Sequence, residues 1–120
     1  MIGNNTHKEY VDRIAKVCHD ANKSFCEVHG DNSQLPWEEA PEWQKESMRL
    51  GVNFTLSNPD APVDAQHNAW LEHKVKEGWA YGVAKDSERK THPCIVSYNM
   101  LPRYQQVKDM LSRSIVNSLK

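Results

Sequence analysis

No apolar run in this 120-residue chain exceeds three residues; Ala69-Trp70-Leu71, Trp79-Ala80-Tyr81 and Cys94-Ile95-Val96 are the longest. A bilayer-spanning helix needs about 20 apolar residues, so neither a membrane span nor a membrane partner is expected. Cysteine is scarce, and three is an odd number for a disulfide framework. Cys18 and Cys26 lie too far apart along one predicted helix to bridge, so all three thiols are expected to be reduced. Met1-Ile2-Gly3-Asn4 offers no basic or apolar leader and no glycine directly after Met1, which points to a cytoplasmic protein. Also lacking are CxxC, HExxH, histidines paired at i and i+4, GxGxxG, a P-loop and GxSxG. No metal centre, no cofactor and no catalytic residue is therefore expected, and the chain reads as a non-enzyme.

What the chain does have is polar. Mean hydropathy is −0.78, with 38% hydrophobic and 26% charged residues, a mix that suits one globular domain over residues 1–120. Lys and Arg number 15 against 16 Asp and Glu, too balanced for a duplex-binding protein, and no nucleic-acid partner is expected. The near-neutral sum hides a division. Glu27 to Asp64 holds eight acids and two bases, whereas Lys85 to Lys120 holds seven bases and three acids. Such asymmetry fits two solvated lobes, or a basic end offered to an anion.

Periodicity predicts a mainly α fold of about four helices with one short β-hairpin between helices 3 and 4. Helix 1 is predicted to open on the capping box Thr6-x-x-Glu9, and to carry Tyr10, Ile14, Val17, Cys18, Ala21, Phe25 and Val28 on one side before Gly30. Asp31–Pro36 reads as a loop. Pro41 and Glu42 open helix 2, which runs to about Ser57 with stripes Trp43/Ser47/Leu50/Phe54 and Met48/Val52/Leu56. Helix 3 is predicted over 63–77 with Gly78 as its cap. Trp79–Val83 and Cys94–Val96 read as the two hairpin strands, and Leu101-Pro102 opens helix 4.

The stretch from His67 to Tyr98 concentrates chemistry: two of the four tryptophans, two of the four tyrosines, a Lys/Arg-bearing loop and His92-Pro93. Aromatic faces beside cations are what stacking a purine and holding its phosphate require. The plainer alternative makes Trp70 and Trp79 core anchors. His92 and Cys94, two apart, could pair as base and nucleophile, but a buried thiol beside a hydrogen-bonded imidazole accounts for them equally well.

These residues also resemble a known family. His67-x-x-Trp70, Gly78-Trp79-x-Tyr81-Gly82, Lys85-Asp86, Lys90, His92-Pro93-Cys94-Ile95-Val96-x-Tyr98 and Leu101-Pro102 are similar to the RyR domain. That repeat occurs in tandem in ryanodine receptor calcium-release channels, and singly in bacterial and phage proteins. Pro36-Trp37-Glu38-x-Ala40-Pro41-Glu42-Trp43-Gln44 resembles the bacterial branch, so that the likeness runs over about 14–119. Val83 and Ser97 stand where many relatives have proline. The resemblance implies a helical fold with a short hairpin and, with one repeat per chain, a homodimer; it does not imply a channel. It also implies an adenine-type nucleotide stacked on Trp70. Trp79 would stand beside it, Lys85, Arg89 and Lys90 near phosphates, and Tyr81 or His92 on the sugar or base. The expected function is a nucleotide sensor or sequestering module. The alternatives are a protein-docking module using Pro36-Trp37-Glu38-Glu39 and Trp43, and an enzyme with His92 as acid/base.

Overall fold

The computed structural model describes residues 2–120, and for residues 2–6 the backbone alone. It is mainly α-helical, with four α-helices and one small sheet among the described residues, and no helix is long and apolar enough to cross a membrane. The chain divides into two compact units: Met1–Asp60 with Met110–Lys120, and Ala61–Asp109.

The first unit contains α1 (Ile2–Val28), a 3-10 turn (Trp37–Glu39), α2 (Glu42–Ser57) and the later part of α4 (Arg103–Leu119). Val11, Ile14, Ala15 and Cys18 recur at helical spacing on α1 and meet Trp37, Val52 and Val116 in the core. Tyr10, Met48, Leu56 and Ile115 pack around them. Of the two stripes expected on α2, the core takes Met48/Val52/Leu56, while Trp43 and Leu50 stay about half exposed (52% and 49%). The stripe on α1 is narrower than expected, with Val17 and Val28 exposed. The predicted capping box does not start α1. The backbone is already helical from Ile2, so position 6 has no helix-start donors to cap; the Thr6 side chain lies outside the described residues.

Trp37 is held on three sides. His19 meets it edge-on with ring centres 5.8 Å apart, and Lys45 Nζ and Arg49 Cζ lie 5.5 and 5.8 Å from its centre. His19 is itself buried and has Nε2 2.6 Å from the Leu35 carbonyl. Arg49 joins α2 to α1, donating from Nε to Asp12 Oδ1 at 2.6 Å and from Nη1 to Glu42 Oε2 at 2.7 Å. Those hydrogen bonds raise its pKa further above the ordinary arginine value. Cys18, Cys26 and Cys94 are free, and burial pushes the Cys18 thiol up to about 11.

The second unit contains α3 (Ala65–Lys76), β1 (Ala80–Tyr81), β2 (Thr91–His92), a 3-10 turn (Tyr98–Met100) and the start of α4. At the end of α3, Gly78 N donates to Val75 O and Trp79 N to Lys74 O, both at 3.0 Å, with Gly78 at φ +92°. This is the paired closure that favours glycine at the left-handed position. It turns the chain so that Trp79 comes back beside Lys74.

The sheet corrects the expected hairpin. β1 and β2 run parallel, Ala80 opposite Thr91 and Tyr81 opposite His92, and Cys94–Val96 form no strand. The reason lies in the connecting loop. Asp86 Oδ1 accepts from Glu88 N and Arg89 N at 3.0 and 3.2 Å, and Asp86 and Thr91 then exchange two 3.0 Å backbone hydrogen bonds. That turn is the second of two reversals: the chain first turns back after Tyr81, through the bend at 83–84, and turns again at 87–90, so it returns alongside β1 pointing the same way. Gly82 admits this approach, since a Cβ there would lie 2.5 Å from Thr91 Cβ.

Candidate functional site

Within the second unit the motif residues converge from three segments. α3 carries His67, Trp70 and Lys74 at spacings of three and four, which puts them on one side of the helix. His67 is buried, with Nε2 2.7 Å from the Val96 carbonyl. Its ring stacks on Trp70 at 5.5 Å between centres and 30° between planes, and tilts towards Tyr98 at 6.1 Å. His92, delivered by β2, meets Trp70 edge-on at 5.3 Å and Trp79 edge-on at 6.4 Å. Lys74 Nζ stands over the Trp79 ring, 5.0 Å from its centre. Trp70, Trp79 and His92 are all half-buried, so they are neither core anchors nor fully solvated rings.

Three lysines surround this ring cluster electrostatically. Burial pushes His92 down to about 4, and Lys85, Lys74 and Lys108 push in the same direction. Lys85 is itself shifted below the ordinary lysine value, first by desolvation of its ammonium and then by Lys74 and Lys108. Its side chain nonetheless keeps solvent contact. Lys108 Nζ also lies 5.4 Å from the centre of the Tyr104 ring. Glu77 stands 3.8 Å from Lys74 Nζ, a loose pair on a side chain that is only 17% exposed. Burial raises the Asp109 carboxyl pKa against the pull of a Gln105 hydrogen bond, and its Oδ2 is buried without a hydrogen-bond partner.

The Cys94 backbone N–H donates to His92 Nδ1 at 2.9 Å, and burial raises the Cys94 thiol above its ordinary value. A protonated thiol beside an imidazole whose Nδ1 is already occupied is poorly arranged for nucleophilic chemistry. Among the described residues no group of three or more His, Cys, Asp or Glu side chains could hold a metal ion.

The RyR domain model matches residues 61–120 of the chain, half its length. The chain belongs to the RyR domain family. The match starts where the second unit starts, at Ala61, and is narrower than the 14–119 span of the sequence resemblance. Of the residues expected at a site in this RyR domain, Trp70, Trp79 and His92 are brought into ring contact, and Lys85 acts on His92. Of the other three, Tyr81 sits opposite His92 in the sheet, and Arg89 and Lys90 are in the loop before β2. Tyr81 is 57% exposed. Arg89 has an 85% exposed side chain, 3.9 Å from Asp86. Lys90 adopts φ +56° and donates from Nζ to the Glu77 carbonyl at 2.8 Å, tying the loop to the end of α3. Sequence reasoning missed Lys74 and Lys108. The first was legible four residues after Trp70 on the same helix; the second carries no local signal, because only the return of α4 brings it to the RyR domain's rings.

Proposed function

We propose that the chain is a non-catalytic ligand-binding module. It holds an adenine-type or signalling nucleotide by indole stacking and lysine–phosphate contacts, as a sensor or sequestering protein. The observation that carries this reading is the half-buried ring cluster Trp70/Trp79/His92 set among Lys74, Lys85 and Lys108. An indole face contributes about 1–3 kcal/mol per stacked base. Lys74 and Lys108 lower the proton affinity of Lys85, and a concentration of ammonium groups of this kind favours the arrival of an anion. His67 behind Trp70 and Lys74 over Trp79 hold the two indoles in place before a ligand enters, which reduces the ordering cost of binding.

Thermal unfolding against ATP, ADP, cyclic mononucleotides, cyclic dinucleotides and ADP-ribose tests the proposal. A ligand at 100 times its Kd adds about 2.7 kcal/mol, so at least one member should raise Tm by several degrees, and the shift should vanish in Trp70→Ala. A flat panel rejects the reading. Pairing of two chains around the ligand belongs to the same proposal and is checked by sedimentation with and without the active compound. The docking alternative has less support, since its motif places Trp37 in the core and Glu38 against Lys16 at 3.2 Å.

A further inference from the structure

The hydrogen bond between Cys94 N and His92 Nδ1 fixes more than a turn. A backbone N–H can only donate, so Nδ1 must offer its lone pair, and in the neutral ring the proton sits on Nε2. Because the bond spans two residues, 2.9 Å from backbone nitrogen to ring nitrogen, it closes a small ring of atoms that any reorientation of the imidazole would open. The ring also meets Trp70 and Trp79 at steep interplanar angles of 73° and 62°, with centres 5.3 and 6.4 Å apart. We infer that His92 presents a permanent Nε2–H donor to the ligand and accepts no proton from it, which restricts the partner atom to an acceptor such as a phosphate or carbonyl oxygen.

This inference rests on the proposed ligand reading and adds to it which atom of the site chooses the ligand's chemistry. The charged and titratable neighbours all favour the same state. They are Lys74 on α3, Lys85 in the loop, the Cys94 thiol beyond β2 and Lys108 on α4; the lysines oppose a second proton on the ring, and the thiol is held neutral. Protonation at Nδ1 would also break the bond to Cys94. Ligand affinity is therefore flat across neutral pH, unlike that of a histidine that gains its charge on meeting phosphate.

Long-range ¹H–¹⁵N NMR of the full chain reads the tautomer directly. The expected result is a protonated Nε2 and a bare Nδ1 from pH 5.5 to 8; an imidazolium or the opposite tautomer in that range overturns the inference. The binding arm uses ADP-ribose, whose pyrophosphate diester keeps its two charges over the same interval. Affinity should change less than about threefold with pH. His92→Asn keeps an acceptor for Cys94 N–H at the δ position but loses the distal donor. It should melt near the unsubstituted chain and bind at least tenfold more weakly. Binding that His92→Asn retains in full overturns the donor role alone. No binding by the unsubstituted chain at any pH overturns the ligand reading and the donor role together, while the NMR result still reports whether the tautomer is locked.

Discussion

The two units use aromatic residues in opposite ways. In the first, Trp37 is 8% exposed and closes an aliphatic core of Val11, Ile14, Ala15, Cys18, Val52 and Val116. The cations near it, Lys45 and Arg49, lie over its ring, and Arg49 is matched by Asp12 and Glu42. In the second, the residues buried below a tenth are His67 and Leu101 among those described. Trp70 and Trp79 are left half-covered, and Lys74, Lys85 and Lys108 act on the His92 ring between them. A cation matched by acids over a buried indole serves the core, whereas lysines acting on half-buried rings stand where a ligand could meet both. The family match covers the whole second unit together with the Met110–Lys120 segment of the first.

That contrast can be broken at its strongest point first. Ile14→Ala should lower unfolding free energy by about 2–5 kcal/mol, the range for truncating a buried aliphatic residue, and leave ligand affinity in the folded fraction unchanged. Denaturant titration and calorimetry measure the two. Trp70→Ala should reverse the order, weakening nucleotide binding at least tenfold at a smaller stability cost. Next, Gly82→Ala forces a Cβ onto Thr91 and should cost about 1–3 kcal/mol. It should also shift the His92 ring resonances, because β2 must move away from β1.

Acid should separate the units as well. His92 titrates near 4 in the folded chain against 6.5 for an unperturbed histidine. The unfolded state therefore binds more protons between those values, and stability falls as pH drops from 6.5 towards 4. His92→Asn should flatten that segment of a stability–pH profile. Asp109 has the opposite sign, since its folded pKa is raised. Its carboxylate costs stability at neutral pH, so Asp109→Asn should raise Tm at pH 7 and lose this advantage as pH falls towards 4. The smallest effect belongs to Arg89, whose exposed side chain reaches only Asp86. Arg89→Gln should change stability and affinity by no more than about 0.5 kcal/mol, read by the same titrations.

Much of this was legible in the chain. Helical spacing located α2, α3 and α4 and the Met48/Val52/Leu56 stripe, and Gly78 marked the turn that returns Trp79 to Lys74. Trp70, Trp79 and His92 were identifiable from the concentration of rings between His67 and Tyr98 and from the likeness to the RyR domain. What was not legible depended on contacts distant in sequence. Two short β-like runs around a polar loop look alike whether they pair antiparallel or parallel; here a bend after Tyr81 precedes the Asp86 turn, and the two reversals together make the pairing parallel. Lys85, Arg89 and Lys90 are equivalent as a basic run, yet Lys90 is taken by the Glu77 carbonyl and Arg89 faces solvent. His19 gave no apolar signal but lies in the interior, because Leu35 O supplies its partner.

The first unit is also discontinuous: Ser112 accepts a hydrogen bond from Cys18 Sγ, and Ile115 and Val116 pack into its core, all from the far side of the second unit in sequence. On the ribosome, α1 and α2 are therefore made first but wait with their apolar faces uncovered until the whole nucleotide-binding candidate has been synthesised. The ring-bearing segment is thus made before the core of the first unit can be completed by Val116. A stalled or clipped chain lacking Val116 would present an open core to chaperones and proteases.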